Sequence, residues 1–549
     1  MSELETNVLY YGDNLDILRK YMPDESVDLV YLDPPFNSNR DYNVIFKDES
    51  GRKSDAQLLA FEDTWHWGPS VESTYNYLTN TGLHQGRVPE SVSAIIGALR
   101  RGIGTNQMMA YLVEMAVRLV DLRRVLKPTG SLWLHCDPTA SHYLRLVLDA
   151  IFGAEHFRNE IVWKRTTAHS DSHRAGRIHD ILLFYSKADG ATWNPVYQPY
   201  EADYVDRYYH YQDPGGRRYA SGDVAAAGPG PARRFRGVLR EPPKGSHWRF
   251  SQEKLDALVA EGRIYFTPNG FPRYKRYLDE MEGMPLQDVW ADKAVQPVVS
   301  WSKEGLGWAT QKPLGLLERI IAASSNPGDI VLDPFCGCGT ALIAAQKLDR
   351  NWIGIDITHL SIAVMRARLR DSFPALGEIK VIGLPTEVEG ARMLAAQSLD
   401  GRYEFQYWAL ALVDAQPVER KKGADAGIDG RITFTDVGGR VRNVLVSVKS
   451  GHVNAAQVRD LIGTMQREDA PLGLFITLEE PSKPMVVEAA SAGVFYSELS
   501  RREYPKVQIL TIAELLDGRR PSLPLLVLPT YEQAQRVERK AAEQSELFG

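Results

Sequence analysis

The sequence predicts an α/β protein whose main domain is a largely parallel sheet covered on both faces, and three stretches carry that expectation. Val27-Asp28-Leu29-Val30-Tyr31-Leu32 is a mostly apolar run of strand length, of the kind buried on both faces, and it ends in Asp33-Pro34-Pro35-Phe36. Met109, Leu112, Val113, Ala116, Leu119 and Val120 recur at helical spacing, and a second strand, Ser131-Leu132-Trp133-Leu134-His135, follows them. Ile330-Val331-Leu332 leads through a glycine-bearing turn into another helix and then to Trp352-Ile353-Gly354-Ile355. Strands alternating with helices need crossover connections, and crossovers make parallel strands sandwiched between helices.

Composition sets the bounds. A chain of 549 residues holds two to four domains, and 44% hydrophobic with 24% charged residues is the balance of an ordinary globular protein. No apolar run reaches the roughly 18 residues of a membrane span, so the expectation is a cytoplasmic protein with no membrane partner. Of three cysteines, Cys336 and Cys338 are close enough to suggest half a metal site, but no second Cys/His pair has suitable spacing. The net charge of −6 confines any nucleic-acid contact to a local patch.

In chain order, Val8-Leu9-Tyr10-Tyr11 reads as a strand, and Gly12-Asp13-Asn14 opens a helix carrying Leu15 and Leu18. Asp13 suits either a helix cap or a place in the pocket beside Asp33. The carboxylate of Asp33 falls at the carboxyl end of its strand, where open α/β sheets place ligands. Pro34 and Pro35 fix the backbone carbonyls, and Phe36 adds a ring. An acceptor, a rigid carbonyl and a stacking surface suit a planar base that bears an amine. Residues 37–105 read as a long polar excursion over the active-site face, with Trp65 and Trp67. The helix of residues 108–126 stops at Lys127-Pro128-Thr129-Gly130, and residues 141–152 form another amphipathic helix.

Between Arg207 and Arg249 nine Lys/Arg stand against three acids, interleaved with tyrosines, Phe235 and Trp248. Arg217, Arg218, Arg233, Arg234, Arg236 and Trp248 are candidates for phosphate contact and for reading or stacking on bases. The alternative is a solvated insert with ordinary charges. Thr310-Gln311-Lys312-Pro313 then precedes a helix. Asp333-Pro334-Phe335-Cys336-Gly337-Cys338-Gly339-Thr340 sits in the strand–turn–helix context that a nucleotide-like cofactor needs, with Asp356 ending the next strand as an acceptor for ribose hydroxyls.

These motifs resemble those of amino-methyltransferases acting on DNA. Asp33-Pro34-Pro35-Phe36 is similar to their catalytic motif, and Asp333 to Thr340 to their S-adenosylmethionine loop. Gly12-Asp13, Arg124-Val125-Leu126-Lys127-Pro128 and Thr310-Gln311-Lys312-Pro313 resemble further family segments, the last two being a helix end and a segment that helps hold the cofactor. The catalytic motif preceding the loop resembles the β-class arrangement. The resemblance implies a Rossmann-like S-adenosylmethionine-dependent domain over residues 7–370 that flips a base out of double-stranded DNA and methylates its exocyclic amine. The leading Asp leans towards adenine N6 over cytosine N4. Cofactor contacts are expected from Asp13, Thr310, Gln311, Lys312, Asp333, Pro334, Phe335, Gly337, Gly339, Thr340 and Asp356, and dimers are usual in the class, which makes a homodimer an expectation by analogy.

The last third has a helix over 403–413, then Gly427-Ile428-Asp429-Gly430 and a hairpin ending in Ser447-Val448-Lys449. It resembles the Mrr-type restriction endonuclease domain, in which an Asp, a further acid or amide and a Lys organise Mg²⁺. Asp429, as metal ligand, and Lys449 fit that pattern, Glu404 could add a carboxylate, and Ser447 stands where the acid or amide belongs. The expectation is a fused restriction-type nuclease, in a restriction-modification or DNA-defence setting. The alternatives are a non-catalytic DNA-binding module, or a turn and an ion pair without further role. The expected organisation is a catalytic half (residues 1–164), a target-recognition insert (165–300), a cofactor-binding half (301–370), a linker (371–400), the endonuclease-like α/β domain (401–530) and a helical tail (531–549).

Overall fold

In a computed structural model of the protein, residues 4–35, 41–47, 53–62, 65–166, 173, 175–299, 302, 304–306, 308, 310–396, 399–418, 427–524 and 527 are described, with backbone alone for 41–47, 53–62 and 399–402. Phe36 and the expected tail, residues 531–549, lie outside the described residues. The chain forms two compact units, Met1–Asn194 with Asp288–Ala541, and Pro195–Gln287.

The first unit is built on nine strands: β1 (Val8–Tyr11), β2 (Val27–Leu32), β3 (Leu126–Cys136), β4 (Phe157–Lys164), β5 (His179–Ser186), β6 (Val289–Trp290), β7 (Ile330–Asp333), β8 (Asn351–Asp356) and β9 (Lys380–Ile382). Their order is β6-β4-β5-β3-β2-β7-β8-β1-β9, and only β5 runs antiparallel to its neighbours. Every residue of β2 is buried, as a central strand covered on both faces requires. Its one charged residue, Asp28, is neutralised by Lys127 Nζ at 2.7 Å and also accepts the Ile330 N–H at 2.9 Å. Helices α1 (Asn14–Tyr21), α2 (Gln107–Val125), α3 (Ser141–Phe152), α4 (Leu314–Ser324), α5 (Thr340–Lys347) and α6 (His359–Ser372) accompany these strands. Asp13 caps α1 through the Leu15 N–H, and Asn106 caps α2 through the Met109 N–H.

Three expectations need correction. Residues 37–105 are not simply a polar excursion: helices Pro69–Thr79 and Glu90–Ile103 place Val71, Leu78, Val92, Ile96 and Leu99 in the core shared with α2 and α3. The helix of residues 108–126 does stop ahead of Lys127-Pro128-Thr129-Gly130, ending at Val125, and that segment bulges within β3 between the pairs Val27–Leu126 and Leu29–Ser131. Residues 165–194 and 288–300 belong to the first unit, because β5 pairs along its length with β3 and β4 while β6 extends the sheet beyond β4. Nor are residues 371–400 a linker: β9 completes the sheet beside β1, and Ala391 and Leu394, on helix Val388–Ala396, are buried in the carboxyl-terminal core.

That core surrounds a second sheet of β10 (Gln416–Pro417), β11 (Gly430–Thr435), β12 (Val441–Lys449), β13 (Leu472–Thr477) and β14 (Val507–Thr511), in that order. Alternation along β12 and β13 feeds two layers. Val444, Val446, Leu474 and Ile476 join Phe405 and Trp408 of α7 (Leu399–Ala411), while Leu445 and Phe475 join Val458 and Leu461 of α8 (Ala455–Arg467). The second unit has its own core, with Val224, Phe235, Trp248, Leu255, Leu258 and Ile264, beside a four-stranded antiparallel sheet. Among the described residues no helix is long and apolar enough to cross a membrane.

Candidate active site

Strands β2, β7, β8 and β1 are adjacent and parallel, so their carboxyl ends open on one edge of the sheet. Asp33, Asp333, Asp356 and Gly12-Asp13 therefore meet at one cavity of about 300 Å³, where Pro35, Lys312, Gly337, Trp65 and Trp308 also lie. The distant motifs of the sequence thus converge on one place.

The carboxylates are held by the loops they belong to. Asp333 accepts the Phe335 N–H at 3.0 Å, and burial, with Asp33 and Asp356 as like charges, pushes its carboxyl up to about 8. Asp356 accepts from the Thr358 N–H and hydroxyl at 2.9 and 3.0 Å and from the Gly337 N–H at 2.9 Å, while burial raises its carboxyl as well. The Gly337 N–H reaches Asp356 from a backbone at φ 52°, and Gly339, at φ 77°, turns the chain into α5 where a Cβ would meet Met365 at 2.9 Å.

Asp13 takes both roles open to it. One oxygen caps α1, and the other is 2.7 Å from Nη2 of Arg118 at the cavity wall. Arg118 also donates to Asn14 at 2.7 Å, and Asn14 donates to the Pro334 carbonyl at 2.8 Å, which ties the amino-terminal helix to the glycine loop. Sequence reasoning missed this pair, since Arg118 falls off the apolar repeat of α2, although a charge inside a helix destined for burial was a usable signal. Tyr31, in the cavity lining, hydrogen-bonds His135 at 3.2 Å, and His135 lies 3.3 Å from Asp180.

Of the Thr310–Lys312 segment, Thr310 lines the cavity and accepts from the Trp308 indole at 3.1 Å. Gln311 is turned to another task, with its amide holding Leu306 and Glu304 at 2.9 and 2.7 Å. Lys312 lines the cavity and forms an ion pair with Asp33. Phe36 lies outside the described residues.

In the second unit Trp248 is no exposed stacking surface: it is 5% exposed and packs edge-on against Phe235. Arg217 and Arg218 are engaged by Asp279 with Glu280, and by Asp206. Arg233 is half-buried, whereas Arg234 and Arg236 are exposed on a hairpin whose returning strand also exposes Val238 and Leu239.

In the carboxyl-terminal sheet Asp429, Ser447 and Lys449 do come together. Asp429 accepts from the Val448 N–H at 2.6 Å, Gln406 at 2.7 Å and Ser447 at 3.4 Å, with Lys449 Nζ at 3.5 Å. Glu404 does not join them; its carboxylate accepts instead from Tyr11 and the His359 N–H, each at 3.3 Å. No group of three or more His, Cys, Asp or Glu able to hold a metal exists among the described residues.

Residues 27–364 match the family model of N6/N4 methyltransferases described as DNA methylase, and residues 404–517 match one described as NACHT-associated inactive Restriction Endonuclease 1. The chain is similar to the Type II methyltransferase M.EcaI of Enterobacter cloacae, 35% identical over 293 residues that cover 51% of this chain and 62% of the relative. It is also similar to the Mod subunit of the Type III restriction-modification enzyme StyLTI of Salmonella typhimurium, 26% identical over 367 residues, covering 63% and 50%. Among solved structures, a DNA modification methylase of Thermus thermophilus complexed with S-adenosyl-L-methionine aligns with 69% of this chain and 99% of its own at 15% identity and a TM-score of 0.33, too slight a likeness to argue from. The chain thus spans 62% and 50% of the lengths of the two curated relatives. With more than half of its residues matched by one model, the chain belongs to the DNA methylase family of N6/N4 methyltransferases.

Proposed function

We propose that this protein transfers a methyl group from S-adenosylmethionine to the exocyclic amine of a flipped base in double-stranded DNA, adenine N6 ahead of cytosine N4, within a restriction-modification or defence setting. One observation carries the reading: Asp33, at the end of a buried strand, shares its cavity with the glycine loop and the strand-end acid Asp356.

The residues fit the cofactor. Three acidic side chains, Asp33, Asp333 and Asp356, face one cavity whose lining also includes Lys312 and Arg118, which gives it acceptors and donors for the cofactor's polar groups. Asp356 suits ribose hydroxyls, and Ile357, 49% exposed at the same wall, suits the face of an adenine. When bound, S-adenosylmethionine supplies an electrophilic methyl group. The chain's own part is to make the amine a nucleophile. The lone pair of an exocyclic amine is delocalised into the ring. Hydrogen bonds from its N–H groups to the Asp33 carboxylate and the Pro34 carbonyl favour a pyramidal nitrogen and stabilise the charge that develops on it. Lys312 grips one oxygen, Oδ2, and so orients the carboxylate. Phe36 is assigned to stacking on the base by its place in the motif. Exposed Arg234 and Arg236, beside exposed Val238 and Leu239 on the returning strand, are assigned to the DNA.

Mg²⁺ does not fit the carboxyl-terminal domain. Asp429 is already surrounded by one backbone and two side-chain donors and by Lys449, Ser447 replaces a charged ligand with a hydroxyl, and Glu404 is committed elsewhere. The domain is read as non-cutting, in keeping with the inactive endonuclease model that it matches.

The test uses purified protein, S-adenosylmethionine and unmethylated duplex DNA, with and without Mg²⁺, followed by mass spectrometry of the nucleosides and a gel. N6-methyladenine from the wild type and none from Asp33→Ala is the expected result, and N4-methylcytosine would change only the base. Equal methylation by Asp33→Ala would overturn the mechanism. Mg²⁺-dependent fragments lost in Lys449→Ala would overturn the non-cutting reading.

A further inference from the structure

Helix α7 serves two bodies of side chains. Phe405, Trp408 and Ala409 are buried in the carboxyl-terminal core, whereas Tyr407 packs against Cys338, Leu360 and Val364 of the methyltransferase half. Beside it, Glu404 accepts hydrogen bonds from the Tyr11 hydroxyl and the His359 N–H, each at 3.3 Å. The Tyr11 ring stacks on the His359 imidazole with centroids 3.9 Å apart.

Both partners of Glu404 are chain neighbours of residues that line the cavity. Tyr11 pairs in register with Asp356 and is followed by Gly12, and His359 directly follows Asp356-Ile357-Thr358, all of them cavity-lining except Tyr11 and His359 themselves. His359 is the first residue of α6, whose opening N–H groups have no partner within the helix. Thr358 takes the Ser361 N–H at 3.2 Å, and Glu404 takes that of His359. A carboxylate at this end is also favoured by the helix dipole. The loop is thus fixed from the cavity side by the bonds of Asp356 and from behind by Glu404.

We propose that Glu404 is a positioning residue for S-adenosylmethionine, and that the endonuclease-like domain serves the methyltransferase by bracing its cofactor loop. The inference rests on the reading that this cavity binds S-adenosylmethionine. Without Glu404 two donors lose their acceptor, the Asp356–Thr358 loop gains freedom, and binding must supply the order that the brace now provides.

The test is calorimetric titration of the full-length protein with S-adenosylmethionine, alongside steady-state methylation. Glu404→Ala should weaken cofactor binding about tenfold, the loss of one or two hydrogen bonds. KM for the cofactor should rise in step, while kcat at saturating cofactor and the affinity for DNA stay near wild type. Glu404→Gln, whose amide oxygen still accepts from Tyr11 and His359, should recover most of the loss, and Tyr11→Phe should reproduce part of it. If Glu404→Ala does not fold, the contrast of Tyr11→Phe with Glu404→Gln decides the matter on its own. Wild-type affinity in Glu404→Ala, or in Tyr11→Phe should that variant decide, would overturn the brace while leaving the methyltransferase reading intact. A wild type that binds no S-adenosylmethionine would overturn both.

Discussion

Asp333 is a carboxyl group that the folded protein holds protonated near neutrality, and replacing it with Asn tests the electrostatics of the cavity directly. Burial, then Asp33 and Asp356, raise it to about 8, against the partial relief of the Phe335 N–H and Lys312. In the unfolded chain it titrates near 4. Between those values the folded state holds a proton that the unfolded state has released, so this group makes stability fall as pH rises from about 4 to about 8. Asn carries no such proton, and its amide oxygen can still accept the Phe335 N–H. The advantage of Asp333→Asn over wild type should therefore grow by roughly 1 kcal/mol per pH unit between about pH 4 and about pH 8, reaching several kcal/mol, and level off above. Groups elsewhere cancel in the difference between the two proteins. Hydrogen exchange of the Ile330–Asp333 amides at pH 5, 6, 7 and 8.5 reads the opening free energy of this region itself. A difference independent of pH would refute the raised carboxyl and the crowding of acids that raises it.

Two further substitutions probe the backbone and the insert. Gly339→Ala forces a Cβ into a left-handed position at φ 77° and against Met365, so it should lower stability by about 1–3 kcal/mol and weaken S-adenosylmethionine binding, read by melting with and without cofactor. Trp248→Ala should cost about 3–5 kcal/mol within the insert and unfold it, read as loss of amide protection over 195–287, because the ring is core; unchanged protection with weaker DNA binding would restore it as a contact residue.

The strand ends were legible because each is a local pattern. The run of β2 is apolar on both faces, so its length and its exit into Asp33 could be read directly, as could the glycine loop and Asp356. The helices at Pro69–Thr79 and Glu90–Ile103 were readable and missed: Val92, Ile96 and Leu99 repeat at helical spacing, but the polar surroundings outweighed them. Glu404 was assigned to the wrong site for another reason. Its partner Tyr11 lies 393 positions away, and nothing in local spacing shows which face of α7 turns towards which half of the unit. Lys312 was legible in part: a motif placed it at the cavity, and only packing reveals that it meets Asp33. The arginines of the insert were countable, but the acids that neutralise Arg217 stand more than sixty residues on.

The last strand of the large sheet, β9, marks where this fusion can be divided. Val8, Leu9 and Tyr10 pair on one side with β8 and on the other with Lys380, Val381 and Ile382. Severing the chain after residue 370, where the family motifs end, would strip β1 of that neighbour and leave an unpaired apolar edge, the kind of surface that recruits a second chain and precipitates. A soluble methyltransferase half must carry its cover strand with it, so any exchange of the carboxyl-terminal domain has to be cut beyond Gly383, where the backbone passes Tyr11 too closely for a side chain.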